Sequence, residues 1–197
     1  MKKLKVTIIG YGGMGSFHAK LIQANPEVEV HGIFDILESR QQAGEADGYS
    51  AYASLEEALN DACADTILIA TPNDVHKEIA VQALEAGKHV ICEKPVTLTS
   101  EELSEIMNIA EEQGRVFMVH QNRRWDSDFQ MVKDLYENRK IGEVFHIESR
   151  VQGANGIPGD WRHLKAHGGG MLLDWGVHLL DQLLYMIDSP LAKVAAD

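Results

Sequence analysis

Along residues 5–120, short runs of β-branched and aliphatic residues alternate with stretches in which apolar positions recur every three or four residues. The runs Lys5–Ile9, Val28–Phe34, Thr66–Ala70, His89–Cys92 and Val116–His120 read as strands, and most of the intervals between them read as helices. Helix starts carry their own signals. Ser54 with Glu57 and Thr99 with Glu102 have the spacing at which a hydroxyl and a carboxylate close a capping box, and Gly87 and Gly114 stand where helices should stop. Strands alternating with helices in this order predict an α/β fold with a parallel, doubly wound sheet covered on both faces. After His120 the texture changes. A helix is expected around Trp125 to Glu137, then a long strand from Glu143 to Val151, a glycine-rich loop, an apolar helix from Met171 to Ile187, and the first residues of another strand at Leu191 to Ala196. The expected organisation is therefore a first domain over residues 1–121 and an incomplete α+β second domain over 122–197.

The first strand runs into Gly10-Tyr11-Gly12-Gly13-Met14-Gly15 and then into a helix. In G-x-G-x-x-G the first glycine makes a tight turn, the second lets a pyrophosphate approach the backbone, and the third lets the helix pack on the strand. The helix N-terminus then faces the anion. A bare glycine-rich turn is the competing reading. Asp35, about 20 residues on at the end of the second strand, is placed where a carboxylate meets adenosine ribose hydroxyls. That favours dinucleotide binding, and NAD over NADP because a carboxylate repels a 2′-phosphate. Arg40 keeps NADP open, and Asp35 could equally cap a helix.

Composition narrows the class. Acidic residues outnumber basic ones by 30 to 18, for a formal charge of −12, and no basic patch is concentrated anywhere, so nucleic acid is not an expected partner. No run nears the roughly 20 apolar residues of a membrane span, and glycines cut the apolar run after Met1-Lys2-Lys3-Leu4-Lys5 short of a signal peptide. Cys63 and Cys92 lie far apart without metal-ligand spacing. A cytoplasmic protein with unpaired thiols is expected.

Two later clusters carry candidate chemistry. Glu93 and Lys94, in Ile91-Cys92-Glu93-Lys94-Pro95, follow the fourth strand, and ligands of open sheets bind beyond the carboxyl ends of strands. Both side chains should project towards that cleft, where a lysine can hold a substrate oxygen and stabilise its developing charge. A surface lysine paired with a neighbouring carboxylate is the alternative. In the last helix Asp174, His178, Asp181 and Tyr185 form one narrow polar stripe between apolar flanks, without lysine or glutamate, as in a polar cleft. Asp174 and His178 stand one turn apart, so the carboxylate could orient the imidazole for proton transfer. A helix cap and a core histidine are the bland alternative. A metal pair is the third reading, but with no third ligand at convincing spacing no metal is expected.

Together these motifs resemble the Gfo/Idh/MocA family of NAD(P)-dependent oxidoreductases. The likeness rests on Gly10-x-Gly12-x-x-Gly15, Thr71-Pro72-Asn73 with His76, Glu93-Lys94-Pro95, Asn122-Arg123-Arg124, Trp161-Arg162, and Gly168-Gly169-Gly170 followed by Asp174-x-x-x-His178. The resemblance implies a Rossmann-type domain and hydride transfer between a nicotinamide and a hydroxyl-bearing carbon of a sugar or polyol. It implies that Lys94 holds the reacting oxygen, that His178 exchanges its proton and that Asp174 supports the histidine. It also places Thr71, Pro72, Asn73, His76 and Glu93 around the nicotinamide half of the cofactor and Trp161 and Arg162 at its outer edge. A homo-oligomer is expected as well, because the family's C-terminal sheet often forms the subunit interface.

One departure bears on activity. The family's large antiparallel sheet, one wall of the substrate pocket, is represented here only by Glu143 to Val151 and the start of a strand at Leu191. A dinucleotide-binding module without turnover is therefore the alternative to a working dehydrogenase, and self-association through uncovered apolar surface is expected. A Rossmann-like methyltransferase is disfavoured, since Glu93-Lys94-Pro95 and Asp174-x-x-x-His178 would then have no role.

Overall fold

The computed structural model describes residues 3–153, 156 and 159–195. They fall into two compact units, one of the described residues up to 120 with 166–168 and one of those from 121 to 165 and from 169 onward.

The first unit is a five-stranded parallel sheet of β1 (Leu4–Ile9), β2 (Val28–Phe34), β3 (Thr66–Ile69), β4 (His89–Cys92) and β5 (Phe117–Val119), in the order β2-β1-β3-β4-β5. The helices are α1 (Gly13–Gln23), α2 (Glu38–Ala46), α3 (Leu55–Asn60), α4 (His76–Glu85) and α5 (Ser100–Glu112). Side-chain alternation along the strands feeds two separate cores. Val6, Ile8 and Leu68 pack with Ala19 of α1, whereas Ile9, Ile67 and Ile69 pack with Ala80, Ala83 and Leu84 of α4 and Ile106 of α5. Near-continuous apolar strands are what a sheet buried on both faces requires. The expected doubly wound, Rossmann-type sheet is present, with strand ends within a residue of those read from the pattern.

Three local features add detail to the sequence pattern. Thr99 and Glu102 form the full reciprocal capping box. At α3, Ser54 accepts from the Glu57 amide, but the Glu57 carboxylate reaches past it to the Ala53 amide. The second feature is a bulge: Val6 pairs with Val30 and Thr7 with Gly32, which leaves His31 as an extra residue on β2. The third is one isolated parallel bridge between Ile33 and Ala51, in which Ile33 N donates to Ser50 O and Tyr52 N donates to Ile33 O, each at 2.9 Å. Ala51 is thus a sixth strand reduced to one residue outside β2. With it the order matches the dinucleotide-binding arrangement that runs outward from a switch point between β1 and β3.

The second unit holds α6 (Ser127–Glu137), a π-helical turn (Leu172–Gly176) and α7 (Val177–Met186). The expected helix near Trp125 begins two residues later, after a 3₁₀ turn over Asn122–Trp125. The expected strand at Glu143 to Val151 does not form, and Leu191 to Ala195 is also without regular structure; Ala196 lies outside the described residues. The alternating pattern supplies strand propensity, but a strand also needs a neighbour to take its main-chain hydrogen bonds. Among the described residues no helix is long and apolar enough to cross a membrane.

Candidate cofactor and proton-transfer sites

The turn after β1 depends on two glycines, Gly10 and Gly15, that nothing larger could replace. Gly10 has φ +91°, donates its N–H to Phe34 O at 2.7 Å, and a Cβ there would lie 2.8 Å from the Ala70 carbonyl. A Cβ on Gly15 would lie 1.9 Å from Gly10 O, so the third glycine lets α1 pack against the turn itself. A Cβ on Gly12 would come 3.1 Å from the Arg40 guanidinium, and one on Gly13 would meet no atom of the described residues within 4 Å. Met14 lies in the first turn of α1.

Asp35 and Tyr11 brace this turn from below. Asp35 is buried; one oxygen accepts from Tyr11 N at 2.8 Å and the other from Leu37 N at 2.9 Å, and Arg40 lies 3.5 Å away. Asp35 does not cap α2, whose first turn has no side-chain cap among the described residues. Tyr11 enters the site only through its backbone. Its ring is buried in the core, and its hydroxyl donates to Asp47 at 2.8 Å; burial, reinforced by Asp47, pushes the phenol above its ordinary range.

Beyond β3, Thr71 and Pro72 lead into a 3₁₀ turn over Asn73–Val75 and then α4. His76 is fully buried, with Nδ1 2.9 Å from Pro95 O and Nε2 3.0 Å from Thr71 O. Burial is the largest influence on its pKa and lowers it, while the two carbonyls pull the other way. His76 therefore ties the Thr71 turn to the loop after β4. Asn73 is also buried and donates to Gly168 O at 3.0 Å, while His167 pairs with Asp74 at 2.9 Å, which is why residues 166–168 belong to the first unit. Thr71 Oγ1 is buried without a hydrogen-bond partner among the described residues. An orphaned hydroxyl beside a glycine cradle fits a polar ligand that supplies the missing bond.

Glu93 departs from the sequence expectation. Its carboxylate does not project into open space but is buried, where Oε1 lies 2.7 Å from His18 Nε2 and 3.1 Å from His120 Nδ1. Burial alone would raise its pKa, but the hydrogen bonds from His120 and His18 outweigh that and hold it at about 2. Oε2 accepts from the main-chain N–H of Lys94, a half-buried residue followed by a cis peptide to Pro95. His18 and His120 were missed in the sequence. Their signals were a histidine on the apolar stripe of α1, three residues after Gly15, and a histidine at the carboxyl end of a strand.

In the second unit, Asp160 caps a 3₁₀ turn over Trp161–His163. Arg162 stacks over the Trp161 ring at 4.6 Å, pairs with Asp160 at 2.6 Å, and places Nε 3.6 Å from Asp174 Oδ1. Gly170 N donates to Arg162 O at 2.9 Å, and a Cβ on Gly169 would lie 2.2 Å from the same oxygen. Asp174 sits in the π turn, whose wider winding shifts its phase relative to the α-helical spacing assumed from sequence. His178 is buried in α7 with its ring 6.0 Å from Trp175.

The lower half of the polar stripe has a different use from the one expected. Asp181 accepts two hydrogen bonds from Arg124, at 2.8 and 2.6 Å, and Arg124 lies 4.8 Å over the Tyr185 ring. Arg123 lies over Trp175 at 4.2 Å, and its carbonyl accepts from Gln182 at 2.8 Å. Asp181 and Tyr185 therefore fasten α7 to the 3₁₀ turn over Asn122–Trp125 instead of lining a polar cleft.

Residues 4–121 match the oxidoreductase family profile with an NAD-binding Rossmann fold, and residues 129–197 match the Gfo/Idh/MocA C-terminal domain. The chain belongs to the Gfo/Idh/MocA oxidoreductase family. A solved NAD-binding protein from Listeria innocua superposes with a TM-score of 0.94 at 62% identity, covering 95% of this chain and 56% of that one. Among characterised members, the scyllo-inositol 2-dehydrogenase (NADP(+)) IolW of Bacillus subtilis is 33% identical, covering 98% of this chain and 54% of that protein. The D-glucoside 3-dehydrogenase of Escherichia coli is 32% identical, covering 96% and 56%. The chain thus spans about half the length of the family members it matches.

Proposed function

We propose that this chain takes part in hydride transfer between a nicotinamide dinucleotide and a hydroxyl-bearing carbon of a sugar or polyol. The observation that carries the reading is the glycine turn: a positive φ at Gly10, no room for a Cβ at Gly15, and a helix opening directly behind. That arrangement fits a pyrophosphate. The inositol and glucoside dehydrogenases among the relatives support the substrate class.

When bound, the dinucleotide supplies the hydride chemistry. The chain supplies the rest. Gly10 to Gly15 cradle the pyrophosphate, Asp35 faces the adenosine ribose, and Thr71, Pro72, Asn73, His76 and Glu93 shape and brace the nicotinamide side, with Trp161 and Arg162 at the outer edge. Lys94 holds the reacting oxygen through its ammonium and stabilises charge that gathers there. His178 takes the hydroxyl proton in oxidation and returns it in reduction, while Asp174 orients the substrate and supports the imidazole. With a lysine and a histidine in these roles, the hydride step itself calls for no metal. The two free cysteines, Cys63 and Cys92, suit a cytoplasmic setting.

NAD is the proposed cofactor because Asp35 puts a carboxylate where a 2′-phosphate would sit. Calorimetry should show tighter binding of NAD than NADP, and Asp35→Ser should narrow the gap. Tighter NADP binding by the unaltered chain would make Arg40 the determinant. For the chemistry, a polyol panel with Lys94→Ala and His178→Ala variants is the test. Each should lower kcat while nearly preserving NAD affinity, and equal losses of both would make the two residues structural. A second reading, dinucleotide binding without turnover, is favoured by the missing strand at Glu143 to Val151; NAD binding with no reduction by any polyol would establish it.

A further inference from the structure

We propose that His18, Glu93 and His120 form a binding site for one divalent transition cation, best matched by Zn(II). Three separate elements bring these residues together: α1 carries His18, Glu93 directly follows β4, and His120 directly follows β5. Two imidazole nitrogens converge on one carboxylate oxygen, at 2.7 and 3.1 Å, and the three donor atoms lie within 4.8 Å of one another. His18 and Glu93 are buried, and the two imidazole rings meet edge to face at 4.6 Å.

The donor set decides the class of ion. Imidazole nitrogen with carboxylate oxygen suits zinc and its neighbours, whereas magnesium and calcium take oxygen ligands. Tetrahedral ligands about 2.0–2.2 Å from zinc lie roughly 3.3 Å apart, so the carboxylate would need to retreat by about half an ångström. Each imidazole would ligate through the lone pair of the nitrogen that now faces Glu93 and keep a proton on its other ring nitrogen. Glu93 already has an outer support, because Oε2 accepts from Lys94 N at 3.3 Å. His120, with 23% of its side chain exposed, gives the ion a way in.

Zn(II) titrated calorimetrically into the cofactor-free chain tests this directly. The Cys63→Ser background removes the exposed thiol beside His31 and Asp61, the second place where such donors gather. One equivalent should bind, His120→Ala should weaken binding by at least about 100-fold, and Mg(II) should give no signal. Circular dichroism checks that the variant folds. Should it not, Co(II) added to the chain with native His120 should broaden amide resonances centred on residues 18, 93 and 120. No saturable Zn(II) binding, binding unchanged in His120→Ala, or broadening centred on His31 would each overturn the proposal.

Discussion

The two units solve the burial problem differently. The first encloses its apolar residues in two cores, one on each face of the sheet, and packs its first turn backbone against backbone at Gly10 and Gly15. In the second, Phe129 and Met186 are the buried apolar residues among those described, while Leu172, Leu180, Leu184 and Phe145 are exposed. What fastens the second unit is directional: the Arg124–Asp181 pair, Arg123 over Trp175, and Arg162 between Asp160 and Asp174. A sheet domain gains stability from area removed from water. A helix pair without a sheet relies on a few contacts, each of which one substitution can remove.

The largest expected effect tests the first half of that contrast. Gly15→Val forces a Cβ into Gly10 O, and neither atom can move without breaking β1 or α1. Urea unfolding should show a loss of about 3 kcal/mol, and dinucleotide binding should vanish with it. Unchanged stability in the Gly15→Val variant would mean that the turn is pliant and that the glycines serve the ligand alone.

Arg124→Ala probes the second half. Removing a bidentate, charge-assisted pair should cost about 1.5 kcal/mol locally. Hydrogen exchange should accelerate in α6 and α7 while amides of β1 to β5 keep their protection. Equal acceleration in both sets would erase the distinction between the units.

The smallest effect concerns pH and lies within the first unit. Asp61 accepts from Tyr52 Oη at 2.6 Å, Cys63 N at 2.7 Å and His31 at 3.1 Å. These bonds, Tyr52 first, hold its pKa at about 2, below the ordinary 3.8. A carboxyl with a depressed native pKa adds stability above the unfolded value, and that stability fades as pH falls from about 4 towards 2. Partial exposure screens the effect to about 1 kcal/mol. Unfolding curves of the native chain and Asp61→Asn should therefore differ near pH 6 and converge towards pH 2. Parallel curves at every pH would assign the difference to geometry, not charge.

What the sequence revealed follows the same division. The strands of the first unit are legible because burial on both faces demands apolar runs, and Gly10, Gly12 and Gly15 are legible because their spacing has a mechanical reason. The bridge at Ala51 is too short to leave a pattern. His18 and His120 became a pair only through the fold, since residues 102 apart in sequence meet at one carboxylate. In the second unit periodicity misled twice. Val144 to Val151 alternates like a strand but has no partner among the described residues, and the apolar pattern around Asp174 carries no mark of the extra residue that a π turn admits. Asp181 looked like cleft lining because its counter-ion, Arg124, lies 57 residues away.

The one-residue bridge at Ala51 has a consequence for colloidal behaviour. An outermost strand normally offers a stranger's backbone a ladder of main-chain donors and acceptors on which to dock, and such docking can propagate from molecule to molecule. Here the outward N–H and C=O of Ile33 are already spoken for by Ser50 and Tyr52, near the carboxyl end of what would otherwise be β2's open flank. The chain obtains this protection from a three-residue touch rather than a full additional strand, and a substitution that pulled Ala51 away, such as Ala51→Pro with its fixed φ, would present an invading peptide with an uninterrupted template.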